Sequence, residues 1–149
     1  MTWATFEAAA PDLAAEGRRL MFRGETGEVL LATVSGDTPP RIHPIWVEVL
    51  DGRLLAFLHT DSKARDLEAD GRYAMHTHID PAEPSEFSIR GRAWAVTDPE
   101  RRRTAAEGWP FTITDAYRLF EFDVEAAVLG IRPNADAWPP RYTSWRATG

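Results

Sequence analysis

The chain has 149 residues, 44% of them hydrophobic and 27% charged, a length and composition suited to one globular domain that buries its core without disulfides or a structural metal. Its 17 basic and 23 acidic residues give a net charge of -6, so the molecule as a whole repels nucleic acid and anionic membrane surfaces, and any anion site must be local. There is no cysteine, which excludes disulfides, thiolate nucleophiles and cysteine-ligated zinc or iron–sulfur centres.

Residues 1–24 read as a helical lead-in: Leu13, Leu20 and Met21 recur at roughly helical spacing in an Ala-rich stretch, with breaks expected near Pro11 and Gly17. The first residues lack a basic stretch followed by an apolar run, and no 18-residue apolar segment occurs, so a cytoplasmic protein with no membrane partner is expected. The run Val29 to Val34 is short, apolar and bounded by Gly27 and Ser35-Gly36-Asp37, as a buried strand is. Arg41 to Leu50 and Arg53 to His59 are β-rich and separated by Asp51-Gly52, which tolerates the positive φ angles of a two-residue hairpin turn.

From Ser62 to Ala69 the period switches to that of a short helix, with Ala64 and Leu67 on one stripe and Asp70-Gly71 as its stop. Strands resume at Tyr73 to Ile79 and Glu86 to Val96, joined by the polar loop Asp80 to Ser85. Asp98-Pro99 predicts a helix start, with Glu100 to Arg103 as a solvated face. Tyr117 to Ile131 predicts a final long strand or a strand pair, and residues 134–149 form an extended aromatic tail. About six strands with short connections and marginal helices predict a mostly β protein, a closed or partly closed antiparallel barrel.

Lys63 and Arg65 lie in the first turn of the short helix, where the unpaired N–H groups already make the field positive. Asp61 or Ser62 as the cap, or Asp66 as a neighbour, would offset this charge. So would a bound phosphate, held by the N–H groups, the Ser62 hydroxyl and Lys63, with Arg41 closing a bidentate clamp.

The segments Leu31-Ala32-Thr33-Val34, Pro40-Arg41-Ile42-His43-Pro44-Ile45-Trp46, Asp51-Gly52-Arg53-Leu54, Ser62-Lys63-Ala64-Arg65-Asp66-Leu67 and Glu86-Phe87-Ser88-Ile89-Arg90-Gly91-Arg92-Ala93 follow in an order and spacing that resembles the pyridoxamine 5′-phosphate oxidase-like family of FMN-binding split barrels. The resemblance spans roughly residues 27 to 130. It implies a six-stranded antiparallel Greek-key split barrel with short peripheral helices, a homodimer, and FMN or a deazaflavin in a groove between subunits. It further implies that Arg41 and Lys63 hold the cofactor phosphate, with His59, Thr60 and Ser62 beside it. Backbone of Ile42, His43 and Pro44 would lie along the ring, and Glu86 would approach it from the partner subunit, an acid where the oxidase has an amide. The family's chemistry implies a flavin-dependent oxidoreductase acting on a small-molecule substrate. The oxidases' C-terminal segment that grips the substrate phosphate is not recognisable, so vitamin B6 oxidation is not expected.

The alternatives are a deazaflavin-dependent reductase, or a flavin- or heme-binding module without turnover. His76 and His78 share a strand face and could chelate a metal with Asp80, but no third strong ligand accompanies them, and no metal is expected. His43 is the functional histidine to which the resemblance points. Trp46, Trp94 and Trp109 read as core or interface residues. Trp138 and Trp145 either cover the groove or anchor the tail.

Overall fold

Two helices, α1 (Trp3–Ala9) and α2 (Pro11–Met21), begin the chain in the computed structural model, which describes residues 1–149. Thr2 caps α1 by accepting the Thr5 N–H, and Pro11 takes the first position of α2. The expected break at Gly17 does not occur. Gly17 lies inside α2 because space is short there: a Cβ at this position would meet the Phe87 ring at 2.5 Å.

The strands β1 (Gly27–Thr33), β2 (Arg41–Leu50), β3 (Arg53–His59), β4 (Arg72–Thr77), β5 (Glu86–Ala95) and β6 (Tyr117–Phe122) form a closed antiparallel barrel in the order β4-β1-β2-β3-β6-β5, with β5 returning to β4. Helix α3 (Ser62–Ala69) links β3 to β4, and α4 (Pro99–Glu107), capped by Asp98, links β5 to β6. Asp51 and Gly52 take φ of 49° and 70°, as the β2–β3 hairpin turn requires. The remaining strands, β7 (Ala126–Ile131) and β8 (Arg141–Arg146), extend the sheet from the other edge of β5. No helix is long and apolar enough to cross a membrane.

The tail thus contributes a strand that its proline-rich composition concealed. Residues Arg141 to Arg146 pair along the full length of β7, and Trp145 packs on Phe6 with ring centroids 5.0 Å apart. Trp145 anchors the tail, whereas Trp138 is 74% exposed.

The continuous apolar run of β3 is explained by cover on both faces. Leu54, Ala56 and Leu58 enter the main core with Phe120 and Phe122 of β6, while Leu55 and Phe57 pack outside the barrel with Leu119, Ala105 and Trp109. Burying each such large side chain contributes about 1.5–3 kcal/mol. The lead-in helices close the core with Trp3 and Phe6, both fully buried and packed near Phe87.

β6 and β7 run along β5 as one interrupted strand. Asp123, Val124 and Glu125 face only Gly91 and Arg92, which makes a bulge in which Asp123 N–H donates to Arg92 O at 2.8 Å and Glu125 N–H to Arg90 O at 2.9 Å. A Cβ on Gly91 would overlap the Asp123 carbonyl oxygen, a backbone atom that cannot turn aside. Gly91→Ala is expected to cost about 3 kcal/mol, the upper end of the overpacking range, seen as a lower urea midpoint at unchanged slope.

Candidate functional site

The barrel is split where β2 and β3 part. β2 pairs with β1 from Arg41 to Val47, but with β3 only from Glu48 to Leu50. The β2 edge facing away from β1 is therefore open over residues 41–47, and Pro44, which has no N–H to donate, suits such an edge. Between the diverging strands lies a cleft of about 460 Å³, within the roughly 300–1,000 Å³ of small-molecule sites. Pro44, Ile45 and Trp46 line it from β2, and Phe57, Leu58 and His59 from β3. Glu28, Lys63, His78, Phe111 and Tyr117 complete the lining.

Aromatic contacts give the cleft its walls. Phe111, in the segment between α4 and β6, stands 4.7 Å from Trp46 and 5.5 Å from Tyr117, centroid to centroid, and Tyr117 lies 5.1 Å from His59. Trp46 Nε1 donates to Glu28 at 3.2 Å. Trp46 is 42% exposed and lines the cleft, so of the two expected placements, core or interface, it is not in the core. Trp109, 7% exposed beneath Phe57, is in the core as expected. Trp94 stands on the outer face of β5, 43% exposed.

At the start of α3 the cap is Asp61. Its Oδ1 accepts the Lys63 N–H at 3.1 Å and its Oδ2 accepts from Lys63 Nζ at 2.6 Å. Burial pushes the Asp61 carboxyl up, but the Lys63 ammonium and N–H, with nearby His43, outweigh it and hold the pKa below the usual aspartate value. Asp66, one turn on and 5% exposed, accepts from Thr33 Oγ1 at 2.9 Å and Arg41 Nε at 3.1 Å, both on Oδ2. Arg41 makes no other side-chain hydrogen bond, so Nη1 and Nη2 stay available. His43 Nε2 is buried without a hydrogen-bond partner.

Of the residues assigned to the cofactor in the sequence, Pro44, His59 and Lys63 line the cleft. Arg41, Ile42 and His43 precede Pro44 on β2, and Thr60 and Ser62 connect β3 to Lys63. The Thr60 N–H is engaged by Ala116 O at 3.0 Å. Glu86 is elsewhere in the chain, at the start of β5, 3.3 Å from the Tyr142 hydroxyl and 3.5 Å from His76 Nε2. His76 and His78 diverge, the first toward Glu86 and the second into the cleft, and no group of three or more His, Asp or Glu is placed to hold a metal ion. Glu28, Phe57, Phe111 and Tyr117 escaped sequence reasoning, and Trp46 and His78, singled out for other roles, were not placed in the cleft. Only Trp46 carried a signal, since it alternates with Ile42 and Pro44 on the exposed face of β2.

No protein-family model matches the chain, and no curated protein matches it in sequence. Solved structures do match in fold. A Clostridium acetobutylicum protein related to general stress protein 26 of B. subtilis, of the pyridoxinephosphate oxidase family, is 13% identical, with a TM-score of 0.66 over 89% of this chain and 92% of that one. A NimC/NimA family protein from the same organism is 19% identical, with a TM-score of 0.60 over 86% and 91%. The chain has the pyridoxamine 5′-phosphate oxidase-like split-barrel fold. The same split barrel is found in HutZ, the heme storage protein of Vibrio cholerae, at 17% identity and a TM-score of 0.59 over 78% of this chain and 89% of that one. The fold alone does not identify a ligand for this chain.

Proposed function

We propose that this protein binds FMN in the β2–β3 cleft and acts as an oxidoreductase on a small organic substrate other than vitamin B6, with a deazaflavin as the alternative ligand. The observation that carries the reading is the split itself, an aromatic-walled cleft that Lys63 lines beside an open strand edge, with Arg41 three residues before Pro44 on that strand and its Nη1 and Nη2 unpartnered. Arg41 and Lys63 hold the phosphate, with His59 and the Thr60 and Ser62 hydroxyls beside it. Ile42, His43 and Pro44 offer the ring their backbone along the open edge of β2. Bound flavin supplies hydride or electron transfer, and the protein supplies orientation and electrostatics.

The site is completed by a second copy of the chain. Glu86 lies apart from the cleft of its own subunit, and Ile42, 68% exposed beside the cleft, is an apolar side chain that a partner would cover. A heme reading has its own support, because His59 and His78 both line the cleft and a neutral imidazole is an axial ligand to heme iron.

Titration of the purified protein with FMN, a deazaflavin and hemin, followed by visible absorption and flavin fluorescence, distinguishes these readings. FMN is expected to bind at micromolar concentration or below. Binding of hemin with no response to either flavin would move the assignment to heme.

A further inference from the structure

We propose that the two aspartates at α3 set the phosphate affinity of the cleft in opposite directions, Asp66 as the positioning residue for Arg41 and Asp61 as a built-in competitor for Lys63. The inference rests on the FMN reading above and goes beyond it by naming what tunes that site.

Asp66 is the fixed point. It is 5% exposed and its Oδ2 receives two donors, Thr33 Oγ1 at 2.9 Å and Arg41 Nε at 3.1 Å. Thr33 is itself 1% exposed and sits opposite Arg41 in the β1–β2 pairing. A guanidinium is planar, so holding Nε fixes the plane, and Nη1 and Nη2 keep their donors without a side-chain partner. Arg41 is thereby oriented before any anion arrives, and little rotamer freedom remains to be lost on binding.

Asp61 acts on Lys63 in the other sense. Its two oxygens each take one Lys63 donor, Oδ1 the backbone N–H at 3.1 Å and Oδ2 one N–H of the ammonium at 2.6 Å. These are the donors an anion at this helix start would use, and the carboxylate stays ionised because Lys63 and His43 hold its pKa below the ordinary aspartate value. The Lys63 side chain is 14% exposed while that of Asp61 is 44% exposed, so the lysine is the fixed partner and the aspartate is free to swing into solvent. A phosphate must displace this carboxylate or share the ammonium with it at the cost of like-charge repulsion. A neutral, isosteric acceptor removes that cost and keeps the helix cap, because asparagine caps as well as aspartate.

The test compares FMN with riboflavin, which lacks the phosphate, on wild-type protein and on Asp61→Asn, Asp66→Ala and Asp66→Asn. Asp61→Asn is expected to tighten FMN binding about tenfold, and Asp66→Ala to weaken it about tenfold, the usual scale of one charge-assisted hydrogen bond. Riboflavin affinity should be unchanged in both. Asp66→Asn, which keeps an acceptor for Thr33 and Arg41, should restore most of the loss, and urea unfolding shows whether each variant is folded under assay conditions. If Asp61→Asn leaves FMN affinity unchanged or weakens it, or if either aspartate variant alters riboflavin as much as FMN, the proposal is overturned while the cleft assignment stands. Failure of the wild-type protein to bind FMN removes both.

Discussion

Arg53→Ala combined with Arg101→Ala is expected to destabilise the protein by about 3–5 kcal/mol, the usual cost of leaving a buried charge without its partner. Glu121 is 2% exposed on β6, and its two oxygens meet one arginine each, Arg53 on Oε1 and Arg101 on Oε2, the latter at 2.6 Å. The arginine side chains are 42% and 38% exposed, so they stay hydrated when the carboxylate is removed. The carboxylate has no such recourse when they are removed. The asymmetry predicts that Glu121→Gln costs clearly less than the double arginine variant, although both break the same two ion pairs. Urea denaturation of the three proteins measures it, and equal losses would mean that Glu121 reaches water when the arginines go.

Removing both cations proposed to hold the phosphate should have the largest effect on ligand binding. Lys63→Ala and Arg41→Ala are each expected to weaken FMN by about 1.5–3 kcal/mol, the worth of a hydrogen bond to a charged group. Because both act on one phosphate, the double variant should fall short of the sum. The two differ in their side effects. Lys63→Ala releases Asp61, which is half-exposed and readily hydrated, so stability should hardly change. Arg41→Ala leaves buried Asp66 with only the Thr33 hydroxyl, so it should also lower stability. Affinity measured by quenching of flavin fluorescence, alongside urea midpoints, separates binding loss from folding loss. Unchanged affinity in both single variants would remove the phosphate assignment.

The strand framework was legible in the sequence where local signals agreed. The hairpin from Arg41 to His59 with its Asp51-Gly52 turn, and the helix from Ser62 to Ala69, fall where periodicity and turn chemistry put them. Strand β8 was not legible. Its pattern is exposed along nearly its whole length, so no burial alternation marks it, and its order comes from pairing with β7. Gly17 misled for a related reason: helix propensity disfavours glycine, but contact with Phe87 leaves room for nothing larger.

The site was legible in its charges and not in its walls. Lys63 stands out in the sequence because a basic residue in the first turn of a helix needs a negative partner, and the fold supplies Asp61; Arg41 stands out through the family resemblance, and the fold pairs it with Asp66. Glu28, His78, Phe111 and Tyr117 reach the cleft from four separate places in the chain. No local pattern connects them, since only the barrel's closure and the segment after α4 bring them to the split. Glu121 was hidden in the same way: it occupies an alternating strand whose outer face is covered by α4, which sequence periodicity does not reveal.

The most direct measurement of the central claim is the affinity of the wild-type protein for FMN set against riboflavin under identical conditions. If the β2–β3 cleft holds a flavin through its phosphate, FMN binds at micromolar concentration or below and riboflavin at least tenfold more weakly. Equal affinity for the two, or no binding of FMN, contradicts it.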